Sequence, residues 1–161
     1  MIFWHTGLTT VIVWFVMRGN PRVDYRIVAV ASLLPDIIDK PIGRIFYKGA
    51  GRLYAHTLLL NVALFCVVFF LRGRIKRTFV LVPISSLLHL AEDGMWSRPR
   101  VFWWPLFGSR FAPAAHPTNY LRPGVIAQEL IGIVLLLWLF GSHGKLNRAG
   151  LRNFVKTGRL E

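Results

Sequence analysis

Three histidines and three aspartates carry the chemistry open to this sequence. His89 and Asp93 close an apolar run that reads Ser85-Ser86-Leu87-Leu88-His89-Leu90-Ala91-Glu92-Asp93-Gly94. Residues four apart share a helix face, so these two side chains can address one object. Asp36 and Asp39, three apart beside Pro35, can do the same. Two carboxylates so close repel unless a proton or a cation sits between them. His56 opens the next apolar run, and His5 lies near the beginning of the first. Neutral imidazole with carboxylate is a common donor set for a divalent transition metal. His5, Asp36, Asp39, His56, His89 and Asp93 are therefore the candidate ligands, enough for one or two ions of the Zn²⁺ or Mn²⁺ kind. Glu129, near the start of the last apolar run, is the candidate catalytic carboxylate, as base or as orienting partner; pairing with an arginine is its plainer role. Each of these residues taken singly also reads as a polar helix end meeting water. Their grouping decides.

The elements that position them are greasy. Apolar residues make up 54% of the 161, mean hydropathy is +0.48, and the apolar residues come in runs, which points to a helical membrane protein. The runs are Ile2 to Met17, Ile27 to Ile38, Leu53 to Leu71, Thr78 to Ala91 and Val125 to Phe140. Only the third approaches the ~20 residues that cross a bilayer. The second and fourth are short enough to be re-entrant. The N-terminus lacks the basic region and cleavage site of a signal peptide, so Ile2 to Met17 is expected to remain as an anchor. If all five runs cross, His5, Asp36, Asp39, His56, His89, Asp93 and Glu129 fall on one side of the membrane. Independent scatter over five spans seldom does that.

A net charge of +13 in a soluble chain would suggest nucleic acid. Here the basic residues fill the gaps between apolar runs, so anionic headgroups are the expected partner and nucleic acid is not. Twelve lysines and arginines, including Arg18, Arg22, Arg26, the Arg72 to Arg77 cluster and the tail, lie opposite the polar cluster, and eight lie beside it. The positive-inside bias then puts the cluster on the extracytoplasmic face. Cys66 is the sole cysteine, so no intrachain disulfide forms. The loop from Glu92 to Gly124 holds Trp96, Phe102, Trp103, Trp104, Phe107, Phe111 and Tyr120, an interfacial aromatic belt. Arg98 and Arg100 in that loop, and Arg52 near His56, are the candidate clamps for an anionic substrate.

Five stretches, His5-Thr6-Gly7-Leu8, Leu34-Pro35-Asp36-Ile37-Ile38-Asp39, Arg52-Leu53-Tyr54-Ala55-His56-Thr57, His89-Leu90-Ala91-Glu92-Asp93-Gly94 and Trp104-Pro105-Leu106-Phe107, carry a resemblance. Over residues 1 to about 140 the chain resembles the prokaryotic membrane-bound metal-dependent hydrolases (DUF457-type, LexA-regulated inner-membrane hydrolase-like). It departs from that pattern at Ala55, where Thr is usual, and at Thr57, in the place of Ser; neither change removes a candidate ligand. The resemblance implies a reaction class and no substrate.

The expected architecture is all-α: a polytopic helical membrane protein with about five transmembrane or partly re-entrant helices. Residues 1–140 form the membrane-embedded domain and 141–161 a basic amphipathic tail on the membrane surface. The expected activity is hydrolysis of a phosphoester or ester of a lipid or lipid-linked anionic substrate by metal-activated water, in the inner membrane. The rival readings are a cation or proton transporter, which would carry ionisable groups at midplane, and a non-catalytic membrane adaptor, which would hold no metal.

Overall fold

The computed structural model describes residues 1–17, 20, 22–111 and 122–160. Arg18, assigned above to the basic side, and Tyr120, assigned to the aromatic belt, lie outside the described residues. All regular structure among the described residues is helical: α1 (Ile2–Met17), α2 (Tyr25–Ala31), α3 (Leu34–Phe46), α4 (Leu58–Phe70), α5 (Gly73–Phe79), α6 (Leu81–Glu92), α7 (Pro99–Phe102), α8 (Pro123–Ser142) and α9 (Arg148–Thr157). Short 3₁₀ turns cover Tyr54–His56 and Met95–Ser97.

Local chemistry explains the boundaries. Asp24 caps α2 by accepting from the Arg26 N–H, Thr57 caps α4 through Leu60, and Asn147 caps α9 through Gly150. Pro35 sits in the first turn of α3, where its missing N–H costs nothing. It also separates α2 from α3, because a proline ring clashes with the carbonyl four residues back, here that of Ala31. The run Ile27 to Ile38 is therefore two helices, and Asp36 and Asp39 stand at the start of the second instead of the end of the first. The run Leu53 to Leu71 likewise begins with the 3₁₀ turn, and its α-helix starts only at Leu58. The fourth run divides at Val80 into α5 and α6.

One helix, α8, is long and apolar enough by length and composition to cross a membrane; α1 and α4 are shorter apolar helices. At 1.5 Å per residue α8 reaches about 30 Å, the thickness of a bilayer's hydrocarbon core. Its outer face exposes Leu130, Val134 and Leu137, and α4 exposes Val67, Phe69 and Phe70.

Helix α1 packs along α8 on one side and against α2 and α6 on the other, while α6 also meets α4 and α3. The α1–α8 contact runs through glycine. A Cβ on Gly7 would strike the Gly132 carbonyl, and one on Gly132 would strike that of Phe3. Absent side chains let the backbones approach, the usual route to close helix association in lipid. At the start of α1, Glu129 of α8 accepts the Phe3 N–H at 2.7 Å, satisfying a donor the helix cannot pair itself. The far end of the bundle holds an apolar core of Val11, Val13, Val28, Leu81 and Leu139. The basic tail joins that end. The Tyr25 N–H donates to Gly158 O at 2.8 Å, Arg26 donates to the Val155 and Lys156 carbonyls at the end of α9, and Phe154 meets Phe140 edge-on at 4.8 Å. So α9 is docked on the bundle, with Leu151 and Val155 still exposed.

The glycine crossing is testable. Gly132→Val should lower the thermal unfolding midpoint of the detergent-solubilised protein, since forced overpacking costs roughly 1–3 kcal/mol. Gly124→Val on the same helix, with open space around it, is the comparison. Equal midpoints for the two variants would contradict the close approach.

Candidate metal centre

Three buried imidazoles meet at one end of the bundle, each held by its Nδ1. On α6, His89 Nδ1 lies 2.6 Å from the Ser32 carbonyl, at the proline-induced break between α2 and α3. A carbonyl only accepts, so Nδ1 carries the proton and Nε2 its lone pair. In the 3₁₀ turn, His56 Nδ1 lies 2.7 Å from Asp39 Oδ2. On α1, His5 Nδ1 lies 2.8 Å from Glu92 Oε2, and the other Glu92 oxygen accepts from Thr9 Oγ1, one turn along α1, at 2.8 Å. His5, His56 and His89 are each 1% exposed or less. The His5 and His89 rings lie face to face, centroids 3.9 Å apart and tilted by 32°.

The free nitrogens converge. His56 Nε2 and His89 Nε2 are 3.3 Å apart, His56 Nε2 is 3.7 Å from Asp36 Oδ1 and 3.6 Å from Asp93 Oδ2, and His5 Nε2 is 3.6 Å from Asp93 Oδ1. Two sets of potential donors result, His5 with Asp36 and His89, and His56 with His89 and Asp93; within each set the ligand atoms lie within 4.8 Å of one another. With both Nδ1 protons directed outward, two imidazole lone pairs face each other, a repulsion relieved either by a proton on one Nε2, which makes the contact a hydrogen bond, or by a cation between them. Nitrogens ~2.0–2.1 Å from one tetrahedral zinc stand about 3.3 Å apart. The residues fit a divalent ion on their own geometry.

Asp39 has a different part from the one expected of it. Its carboxylate is fully buried and accepts from the Leu53, Ala55 and His56 N–H groups at 2.6, 2.9 and 3.1 Å as well as from the His56 ring. It belongs to neither donor set. Asp39 folds the segment from Leu53 to His56 around itself and aims the His56 ring, as a carboxylate behind a ligating histidine does. Glu92, which the sequence reading passed over, stands behind His5 in the same way. Its signal was there: three residues past His89, it can share that histidine's helix face, and Thr9 lies four residues past His5.

The two remaining carboxylates also meet cations. Arg52 Nε is 2.6 Å from Asp93 Oδ2, and Lys40 Nζ is 2.5 Å from Asp36 Oδ2. Burial alone would raise the Asp93 carboxyl, but His56 and the Arg52 guanidinium outweigh it and hold the group well below the usual carboxylate range. Arg98, which precedes α7, and Arg100 within it are exposed. Glu129 sits at the rim, with its side chain on Phe3 N–H and 3.8 Å from the Met1 amine; its geometry is that of a cap on α1.

No curated protein and no solved structure matches the chain. A family profile does, that of the YdjM inner membrane protein, over residues 1–151. The match takes in every helix from α1 to α8 and the start of α9, including all of the residues around the centre. It accords with the long apolar α8 and the outward-facing apolar side chains of α4 and α8, and the chain belongs to the YdjM inner membrane protein family.

Proposed function

We propose that this chain is an integral membrane hydrolase that uses one divalent metal ion. The observation that carries the reading is the pair of histidine Nε2 atoms 3.3 Å apart, both turned inward by hydrogen bonds at Nδ1. His89 belongs to both donor sets, and an imidazole nitrogen has one lone pair, which favours a single ion held by His5, Asp36, His56, His89 and Asp93 over two ions. When bound there, such an ion lowers the pKa of a water molecule and polarises an ester or phosphoester oxygen. Asp39, Glu92 and the Ser32 carbonyl keep the rings in the ligating tautomer and orientation. Arg52 keeps Asp93 ionised. The substrate class proposed is a lipid or lipid-linked phosphoester, which a site at a membrane face would meet.

The proposed topology has five membrane passes, α1, α2 with α3, α4, α5 with α6, and α8, with the centre at the extracytoplasmic face. Past their site-proximal ends α1, α4 and α8 carry no acidic or basic side chain. That disfavours a transporter, which needs ionisable groups at midplane.

Three outcomes are expected. Purified wild-type protein should hold one Zn²⁺ or Mn²⁺ per chain by elemental analysis, and His89→Ala or Asp93→Ala should lose it while still inserting. Full occupancy in both variants would remove the assignment. Asp39→Asn and Glu92→Gln should weaken metal affinity by roughly 10–100-fold without abolishing it, measured by competition with a chelator; wild-type affinity in both would show that these carboxylates do not orient ligands. For topology, single cysteines at Ser97 and Ser142 in a Cys66→Ala background should differ under an impermeant maleimide applied to spheroplasts. Ser97 should label and Ser142 should not, and the reverse pattern would invert the orientation.

A further inference from the structure

The end of the bundle away from the metal centre carries a surface that the proposed chemistry leaves unused. Helix α9 is fixed there at both of its ends. Asn147 caps its first turn, the Arg26 guanidinium donates to the Val155 and Lys156 carbonyls in its last, and Gly158 O then accepts from the Tyr25 N–H at the start of α2. At about 100° per residue its side chains fall in adjacent rows. Gly150 and Phe154 form the row against the bundle, where a Cβ on Gly150 would strike the Gly144 carbonyl and Phe154 meets Phe140 of α8. Leu151 and Val155 form the next row, and Arg148, Arg152 and Lys156 the one beyond it. Leu151 and Val155 are 49% and 61% exposed although they border the docked row, and all three cations are exposed. No acidic residue lies between Glu129 and Glu161, so this stretch of chain has no carboxylate to offer them.

We propose that α9 is an in-plane binding element for anionic phospholipid, with Leu151 and Val155 in the hydrocarbon beside the end of α8 and Arg148, Arg152 and Lys156 on the headgroup phosphates. Two observations choose this occupant. The apolar row adjoins the helix long enough to cross a bilayer: α9 packs on Phe140 of α8, and α8 exposes Leu137 and Trp138 within a turn of that contact. The cations stand on the row farther from the bundle, where their long stems carry the charge to the headgroups while the apolar row stays in the hydrocarbon. A second copy of this chain is the poorer occupant, because a two-fold contact through Leu151 and Val155 brings the same three cations face to face. Since α9 is already held on the bundle, the lipid meets a finished surface and no coil has to be ordered. The inference is independent of the hydrolase reading.

The test uses full-length protein in nanodiscs, with a bimane fluorophore on the single cysteine of Leu151→Cys in a Cys66→Ala background. Two sets of discs hold equal amounts of phosphatidylglycerol and phosphatidylcholine, and one lipid or the other carries brominated chains. Brominated lipid quenches only on contact, so the two quenching levels together read the local lipid preference. Bromolipid should quench at position 151 and aqueous iodide should not, while the same fluorophore on Asn153→Cys, past the cationic row, should respond the opposite way. Phosphatidylglycerol should be preferred by about fivefold for each cation engaged. Arg148→Gln, Arg152→Gln and Lys156→Gln together should bring the preference close to even. If that variant fails to fold, salt decides with the cations intact: added salt screens exposed charges, so the preference must fall, and a preference that salt leaves unchanged overturns the inference. Equal quenching by the two lipids with the cations intact overturns it as well. Quenching at position 151 by iodide alone overturns it in favour of a face in water, and protection from both quenchers overturns it in favour of a protein partner, a second copy included.

Discussion

Everything at the polar end of this bundle answers to one electrostatic problem, three imidazole rings buried together with their Nε2 atoms turned inward. Buried polar groups are tolerated when each finds a partner. The outward nitrogens find theirs in Asp39, Glu92 and Ser32. Those partners in turn dictate backbone. Asp39 collects three amide donors and so shapes the segment from Leu53 to His56. Glu92 ties α6 to α1 through both His5 and Thr9. The Ser32 carbonyl is placed by the interruption that Pro35 forces between α2 and α3. The proposed ion would be the counterpart of that outer shell, held by the inner nitrogens with Asp36 and Asp93.

Much of this was legible in the sequence, for a physical reason. Ionisable donors are few in a greasy chain and fall at the ends of its apolar runs, where they can meet, and His5, Asp36, His56, His89 and Asp93 do gather. Spacing says which residues share a face and cannot say which carboxylate touches an inner nitrogen and which stands behind a ring. Asp39 was indistinguishable from Asp36 on that ground, and only the folded path of Leu53 to His56 around it separates them. Glu92 was hidden for the converse reason, since its partner His5 is 87 positions away. Glu129 was correctly placed at the polar end, yet the unpaired first amides of α1 claim it. The cations were harder. Arg52 was singled out because it lies near His56 in sequence, and the structure pairs it with Asp93. Lys40 read as one of a basic stripe, and Arg98 and Arg100 read as clamps because nothing in the sequence shows that their loop leads them outward.

The helix boundaries show the same limit. Hydropathy marks apolar runs without seeing the breaks that a proline or a capping threonine introduces inside them. The breaks at Ser32 and at Leu53 to Thr57 are where two of the three histidines obtain their orienting partners. At both breaks the irregular backbone is buried in the protein, with Ser32, Leu53, Ala55 and His56 fully covered.

The distance in chain between His5 and Glu92 has a consequence for how the molecule comes into being. A ribosome delivers His5 first and Glu92 87 residues later, so the opening helix is made long before the carboxylate that steadies its imidazole. The polar end is complete only once α6 has been made. Until then each isolated histidine offers a passing metal a single weak contact. On the proposed reading, the centre can assemble only after α6 is made, and a half-made chain lacks the full donor set.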